Sequence, residues 1–240
     1  MKNRLSTVGI IICLLIALYI ASLTELKKYL PNFIEGAIVT VKVAVLSLIL
    51  FFIMSFVAGI ARGHFNGIIK WIATFYIEIF RGTSVLVILF WFFFVLPEFG
   101  ILLSPLTAGV LGIGLNFGAY GAEIVRGAIT SVAKGQSEAS IALNISPYKH
   151  LTRIVVPQVF VITIPGLTNT AMELIKATSL VAGITIGELT FHAMKLNGIF
   201  FKPLEIFAIA LFFYYFFAQF IRLISSYLEE HFSKHMNKEA

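Results

Sequence analysis

Long apolar runs separated by short polar intervals divide this chain into six segments. A helix needs roughly 20 residues to cross a bilayer at 1.5 Å per residue. The segments run from about Leu5 to Leu23, Phe33 to Ala61, Trp71 to Leu96, Ile101 to Ala122, Ile154 to Gly187, and Leu204 to Ile221. Pro157 and Pro165 interrupt the fifth, which predicts a kinked or re-entrant stretch in place of one straight helix. The first segment has the basic start and apolar core of a signal peptide. Its run is long for that role, however, and Tyr19 stands three residues before Ser22, where a small residue is wanted. An uncleaved helix, followed by a short external connection over 24–32, is the preferred reading. The expected fold class is an all-α membrane protein of about six transmembrane helices.

Composition supports that reading. Of 240 residues, 59% are apolar and 12% charged, against about 25% charged in an average soluble domain. The net charge of +6 comes from 18 Lys and Arg against 12 acids. The basic residues are scattered between apolar blocks, so the excess reads as topology and not as affinity for nucleic acid. With the N-terminus inside, eleven face the cytoplasm: Lys2, Arg4, Arg62, Lys70, Arg126, Lys134, Lys149, Arg153, Arg222, Lys234 and Lys238. Four face outside, namely Lys27, Lys28, Lys195 and Lys202. Positive loops are retained inside, so this count predicts two cytoplasmic termini. Lys42, Arg81 and Lys176 stay within apolar segments, and Lys42 is close enough to a boundary to snorkel.

Several chemistries are excluded. Every acid is Glu, which removes Asp-based ligand sets. One cysteine, Cys13, rules out an internal disulfide or a CxxC site. The five histidines have no zinc-ligand spacing, no GxxxxGK[ST] loop is present, and Ser84, Ser137 and Ser179 lack a GxSxG elbow. No metal or cofactor is therefore expected in this chain, nor an enzymatic activity of its own.

The apolar segments carry two further patterns. Gly109, Gly112, Gly114, Gly118 and Gly121 give one helix a face of small residues. Such a face suits close packing within the chain or against a second subunit. Charged residues at i, i+3 spacing recur as Glu78 with Arg81, Glu123 with Arg126, and Glu173 with Lys176. That spacing places both members on one helix face. Each pair reads either as self-neutralising structure or as part of a pathway, with the functional reading strongest for Glu173 and Lys176 near mid-segment.

The longest polar interval, Gly127 to Arg153, falls on the cytoplasmic side. Loops of that length are commonly functional. Lys134 to Asn144 reads as an amphipathic helix with Ala139, Ala142 and Leu143 on its apolar face, Ser137 as a cap, and Asn144 in the left-handed conformation that ends it. A second short helix is predicted after Ser146, with Pro147 at its first position, and Pro157 marks return to the membrane. Two short helices there form a knob that a soluble partner can grip.

Glu138-Ala139-Ser140, then Asn144, then Ile154-Val155-Val156-Pro157 resembles the EAA loop of ABC importer permeases. Phe80 to Thr83, Leu115 to Gly127 with Asn116 inside it, Lys134 to Gln136, and Lys176 to Leu180 extend the likeness to the polar amino acid permeases of the histidine, glutamine and glutamate type. Residues 29–228 would form the permease domain, with a coupling loop over 127–156. An extra helix over 1–28 would precede the family's five-helix core, and a cytoplasmic tail over 229–240 would follow it. The resemblance implies a multi-pass subunit of the bacterial inner membrane that forms a pathway for a polar or charged amino acid. Its implied partners are two ATPase subunits, a second permease copy or paralogue, an extracytoplasmic amino-acid-binding protein and membrane lipid. It places ATPase coupling on Glu138, Ala139, Ser140, Asn144 and Pro157. Glu173, Lys176, Asn116, Glu78 and Arg81 stand as pathway or substrate candidates. Asn144 replaces the family's Gly and is the next-best residue for a left-handed backbone. The alternative class is a stand-alone secondary transporter or channel, but neither coupling-ion residues nor inverted repeats are visible.

Overall fold

A computed structural model describes residues 29–236, so the segment Leu5 to Leu23 lies outside the described residues. Every described element is a helix: α1 (Leu30–His64), α2 (Ile68–Gly82), α3 (Val85–Phe90), α4 (Pro105–Ser131), α5 (Lys134–Ala142), α6 (Pro147–His150), α7 (Val156–Ala177), α8 (Leu189–Phe200) and α9 (Pro203–Met236). Four described stretches are long and apolar enough to cross a membrane: Leu30–His64, Pro105–Ser131, Pro147–Ile184 and Pro203–Ile224.

The predicted third segment is not one helix. α2 and the helical stretch Val85–Phe99 meet at an angle of 104°. The break falls at Gly82, a poor helix former, and Thr83 beyond it is extended. Asn116 and Thr83 satisfy carbonyls released there. Asn116 Nδ2 donates to Phe80 O at 2.6 Å and to Thr83 O at 3.3 Å, and Thr83 Oγ1 donates to Ile79 O at 2.9 Å.

The fifth segment is not broken in this way. Pro147 to Ile184 is one unbroken helical stretch that contains both prolines. A proline crowds the carbonyl four residues before it. For Pro157 that residue is Arg153, which lies in a wider π turn over Leu151–Val155. The helix therefore continues through Pro157 without a break. The fourth segment is also longer than expected, since α4 runs on to Ser131.

The chain folds as two compact units. One comprises the described part of 1–47 with 86–113 and 172–223. Its core gathers Tyr29, Phe33, Leu189, Ala193, Leu196, Ile206, Ile209 and Ala210. The start of α1 crosses α8 closely here, because a methyl on Gly36 would sit 3.1 Å from the Leu189 Cα.

The other unit comprises 48–85, 114–171 and the described part of 224–240. Its core holds Val125, Ala128, Leu151, Val155 and Val159, with Ala58, Ile77 and Ala122 beside Tyr76. From Gly114 onward, the small face of α4 packs inside this unit. A methyl at Gly118 would lie 2.7 Å from Met54 Cβ, and one at Gly121 would lie 2.8 Å from Ser55 Cβ. That contact is the close packing within one chain that glycine permits.

Candidate functional site

Within the loop predicted to couple, 127–156, α4 continues to Ser131, and the extended backbone of Ala133 precedes α5 without a side-chain cap. Ser137 lies inside the helix and is not its cap. α5 is mostly exposed: Glu138 and Ala139 face solvent, with Ile141 at 78% and Leu143 at 73% exposure. Ser140, the third residue of the motif, points inward; it is buried, and its Oγ donates to Gln136 O at 2.8 Å. Asn144 has φ +52°, and the Ile145 N–H closes the helix end on Ser140 O at 2.9 Å. Pro147 starts α6 as expected, and Tyr148 there is 76% exposed. Pro157 is the second residue of α7, beyond the π turn that follows α6.

In the same unit the charged candidates form a network. Glu123 Oε1 meets Arg62 Nη1 at 2.8 Å, and Arg126 Nε lies 3.1 Å from both Glu123 oxygens. Arg81 Nη1 approaches Glu123 Oε2 at 3.7 Å, and its guanidinium lies 5.3 Å from the Tyr120 ring centroid. Glu78, expected opposite Arg81, reaches Arg62 instead at 3.7 Å. The i, i+3 spacing found Glu123 with Arg126 but missed Arg62, which is distant in sequence and arrives at the end of α1. Asn116 is buried and its amide nitrogen serves the α2 break.

Glu173 and Lys176 lie in the other unit. Both are exposed, and no ion pair joins them among the described residues. Lys176 lines a groove of about 640 Å³ with Met172, Tyr214, Tyr215, Gln219 and Arg222. This volume falls in the range of small-molecule sites.

Sequence reasoning also missed Glu188, which is fully buried. It stands at the start of α8, where Oε1 accepts from Phe191 N at 2.8 Å and Oε2 accepts from the Tyr214 hydroxyl. Thr190 Oγ1 and Tyr214 Oη share a further hydrogen bond at 3.0 Å. No charged partner near it in sequence signals this role; the only clue is an acid immediately before an apolar helix.

Comparison with known proteins identifies the family. Residues 55–234 match the family model described as binding-protein-dependent transport system inner membrane component. A probable amino-acid ABC transporter permease of Sinorhizobium fredii, y4tF, is 42% identical over 82% of this chain and 87% of its own length. The L-cystine permease TcyB of Bacillus subtilis is 36% identical over 72% of this chain and 74% of its own. The glutamine permease GlnP of Escherichia coli is also 36% identical, over 77% and 85%. Among solved structures, an amino acid ABC transporter with histidines superposes with a TM-score of 0.79 at 29% identity, covering 87% of this chain and 97% of that one. The methionine transporter MetNI, at 16% identity and a TM-score of 0.71, shares the fold. With three quarters of its length matched and relatives well above 30% identity, the chain belongs to the family of inner membrane components of binding-protein-dependent transport systems.

Proposed function

We infer that this chain is the transmembrane subunit of an ATP-driven importer for a polar or charged amino acid. ATP hydrolysis is assigned to a separate pair of ATPase subunits. A second permease, identical or related, completes the pathway, and an extracytoplasmic binding protein delivers the substrate. The observation that carries the coupling part is α5, which with Leu143 at its C-terminal cap turns Glu138, Ala139, Ile141 and Leu143 outward and buries almost nothing of itself. Large exposed apolar side chains on a short polar loop mark an interaction surface. Glu138 supplies a carboxylate and Ala139 a close approach, with Ile141, Leu143 and Tyr148 as apolar anchors. Ser140, Asn144 and Pro157 shape the loop and its return. The Lys and Arg bias supports a cytoplasmic position for this loop and for both termini in a bacterial cell.

Reversing the charge with Glu138→Arg tests the assignment. The variant is expected to insert normally and to lose stimulation of ATP hydrolysis by the binding protein in proteoliposomes. Normal coupled transport by Glu138→Arg sinks the coupling role of the loop.

On the substrate side, the proposal gives Glu173 the α-ammonium or a basic side chain and places Lys176 beside it as the carboxylate contact. Charges exposed within a membrane span serve a cavity, a partner or a substrate. Glu173→Gln is expected to raise the substrate KM about tenfold, the scale of a lost charge-assisted contact. Unchanged KM and selectivity would reduce Glu173 to a brace.

A further inference from the structure

The orientation of α5 rests on very little. Of residues 135–142, only Ser140 is buried and Gln136 half-buried, and these two stand i, i+4 on the inward face. No side-chain cap fixes the start of the helix. Among its described hydrogen bonds, only one set leaves the loop. Gln158 Nε2 donates to Gln136 Oε1 at 2.9 Å, and Gln136 Nε2 donates to Gln158 Oε1 at 3.3 Å.

This reciprocal amide pair is anchored at both ends. Gln158 Nε2 also donates to Ile154 O at 2.9 Å, inside the π turn. The Ser140 hydroxyl holds the Gln136 carbonyl at 2.8 Å. A chain of polar contacts therefore runs from the middle of α5, through two side-chain amides, into the turn from which α7 rises. A π turn carries one extra residue and weaker internal bonding than a regular helix, so it is a place where a helix can change direction.

We propose that Gln136 and Gln158 form the mechanical link that passes movement of an ATPase gripping α5 into the membrane helix α7, which makes both positioning residues for coupled transport. The proposal rests on the coupling role of the loop. The outward face of α5 is the handle, and the amide pair transmits its rotation. Two amides suit this task because each donates and accepts, so the pair resists twisting in both senses and needs no charge in a partly buried place.

The test uses the permease reconstituted with its ATPase subunits and binding protein in proteoliposomes, with a radiolabelled amino-acid mixture as probe. Amount transported per ATP hydrolysed is read beside copurification of the ATPase. Gln158→Leu is expected to keep the ATPase bound and to lower transport per ATP about tenfold, within the range of coupling between linked sites. Adding Gln136→Glu to Gln158→Arg is expected to restore it to within about threefold through a new ion pair, whereas Gln158→Arg alone stays low.

Full coupling by Gln158→Leu, with Glu138→Arg still uncoupled, overturns the link and leaves the coupling loop standing. Full coupling by both overturns the loop assignment itself. Loss of ATPase binding in parallel with transport also overturns the link, because it shows a tether and not a transmitter. Should Gln158→Leu fail to insert, Gln158→Glu keeps the acceptor and the size but removes the donor to Gln136 and Ile154. Reduced coupling with that variant supports the link, and normal coupling overturns it.

Discussion

Glu123 and Glu188 are both carboxylates withdrawn from water, one in each compact unit, and they are stabilised by opposite means. Glu123 is surrounded by Arg62, Arg81 and Arg126, so its charge is overpaid by cations drawn from α1, α2 and α4. Glu188 is more deeply buried, yet among the described ion pairs it has no cationic partner. Its oxygens are taken by a helix N-terminus and by Tyr214. Burial alone therefore does not set the need for a counterion. Neutral donors and a helix dipole suffice where they are rigidly aimed, whereas the Glu123 site holds three helices together by their charges.

The largest expected effect comes from breaking the charged site. Glu123→Ala leaves three guanidinium groups facing one another, and with Glu123 only 19% exposed the loss should be on the order of 3 kcal/mol. Thermal unfolding of the detergent-purified protein measures it. Because the residual destabilisation is repulsion, added salt should recover part of it. A variant as stable as the parent, or one indifferent to salt, would show that the arginines are held by packing and not by Glu123.

How much of this the sequence carried depends on the distance over which each signal acts. Among the described residues the apolar runs marked where the long helices lie, because bilayer thickness imposes a length that any sequence must meet. The left-handed Asn144 and the Pro147 start were legible because they are local backbone requirements. The 104° break at Gly82 was hidden, since Trp71 to Leu96 is apolar throughout and the residue that relieves the break, Asn116, comes from α4. The π turn before Pro157 was hidden too, since it leaves no mark in composition. The charge network was half visible. Glu123 with Arg126 follows from helical spacing, but Arg62 is brought in only when α1 packs on α4 through Gly118 and Gly121.

The neutral site sharpens the comparison through a smaller and differently shaped effect. Glu188→Ala removes the cap of α8 and leaves the Tyr214 hydroxyl with Thr190 alone, for a cost of about 2 kcal/mol. Glu188→Gln keeps an oxygen for Phe191 N and one side-chain dipole for Tyr214, so it should cost less than about 1 kcal/mol. Neither change should respond to salt, since no unscreened cation is left behind. The amide serves as well as the carboxylate only if hydrogen bonding, and not charge, is what this position supplies. If Gln proves as damaging as Ala, then the negative charge at the helix start is the essential quantity, and the contrast with Glu123 becomes one of degree.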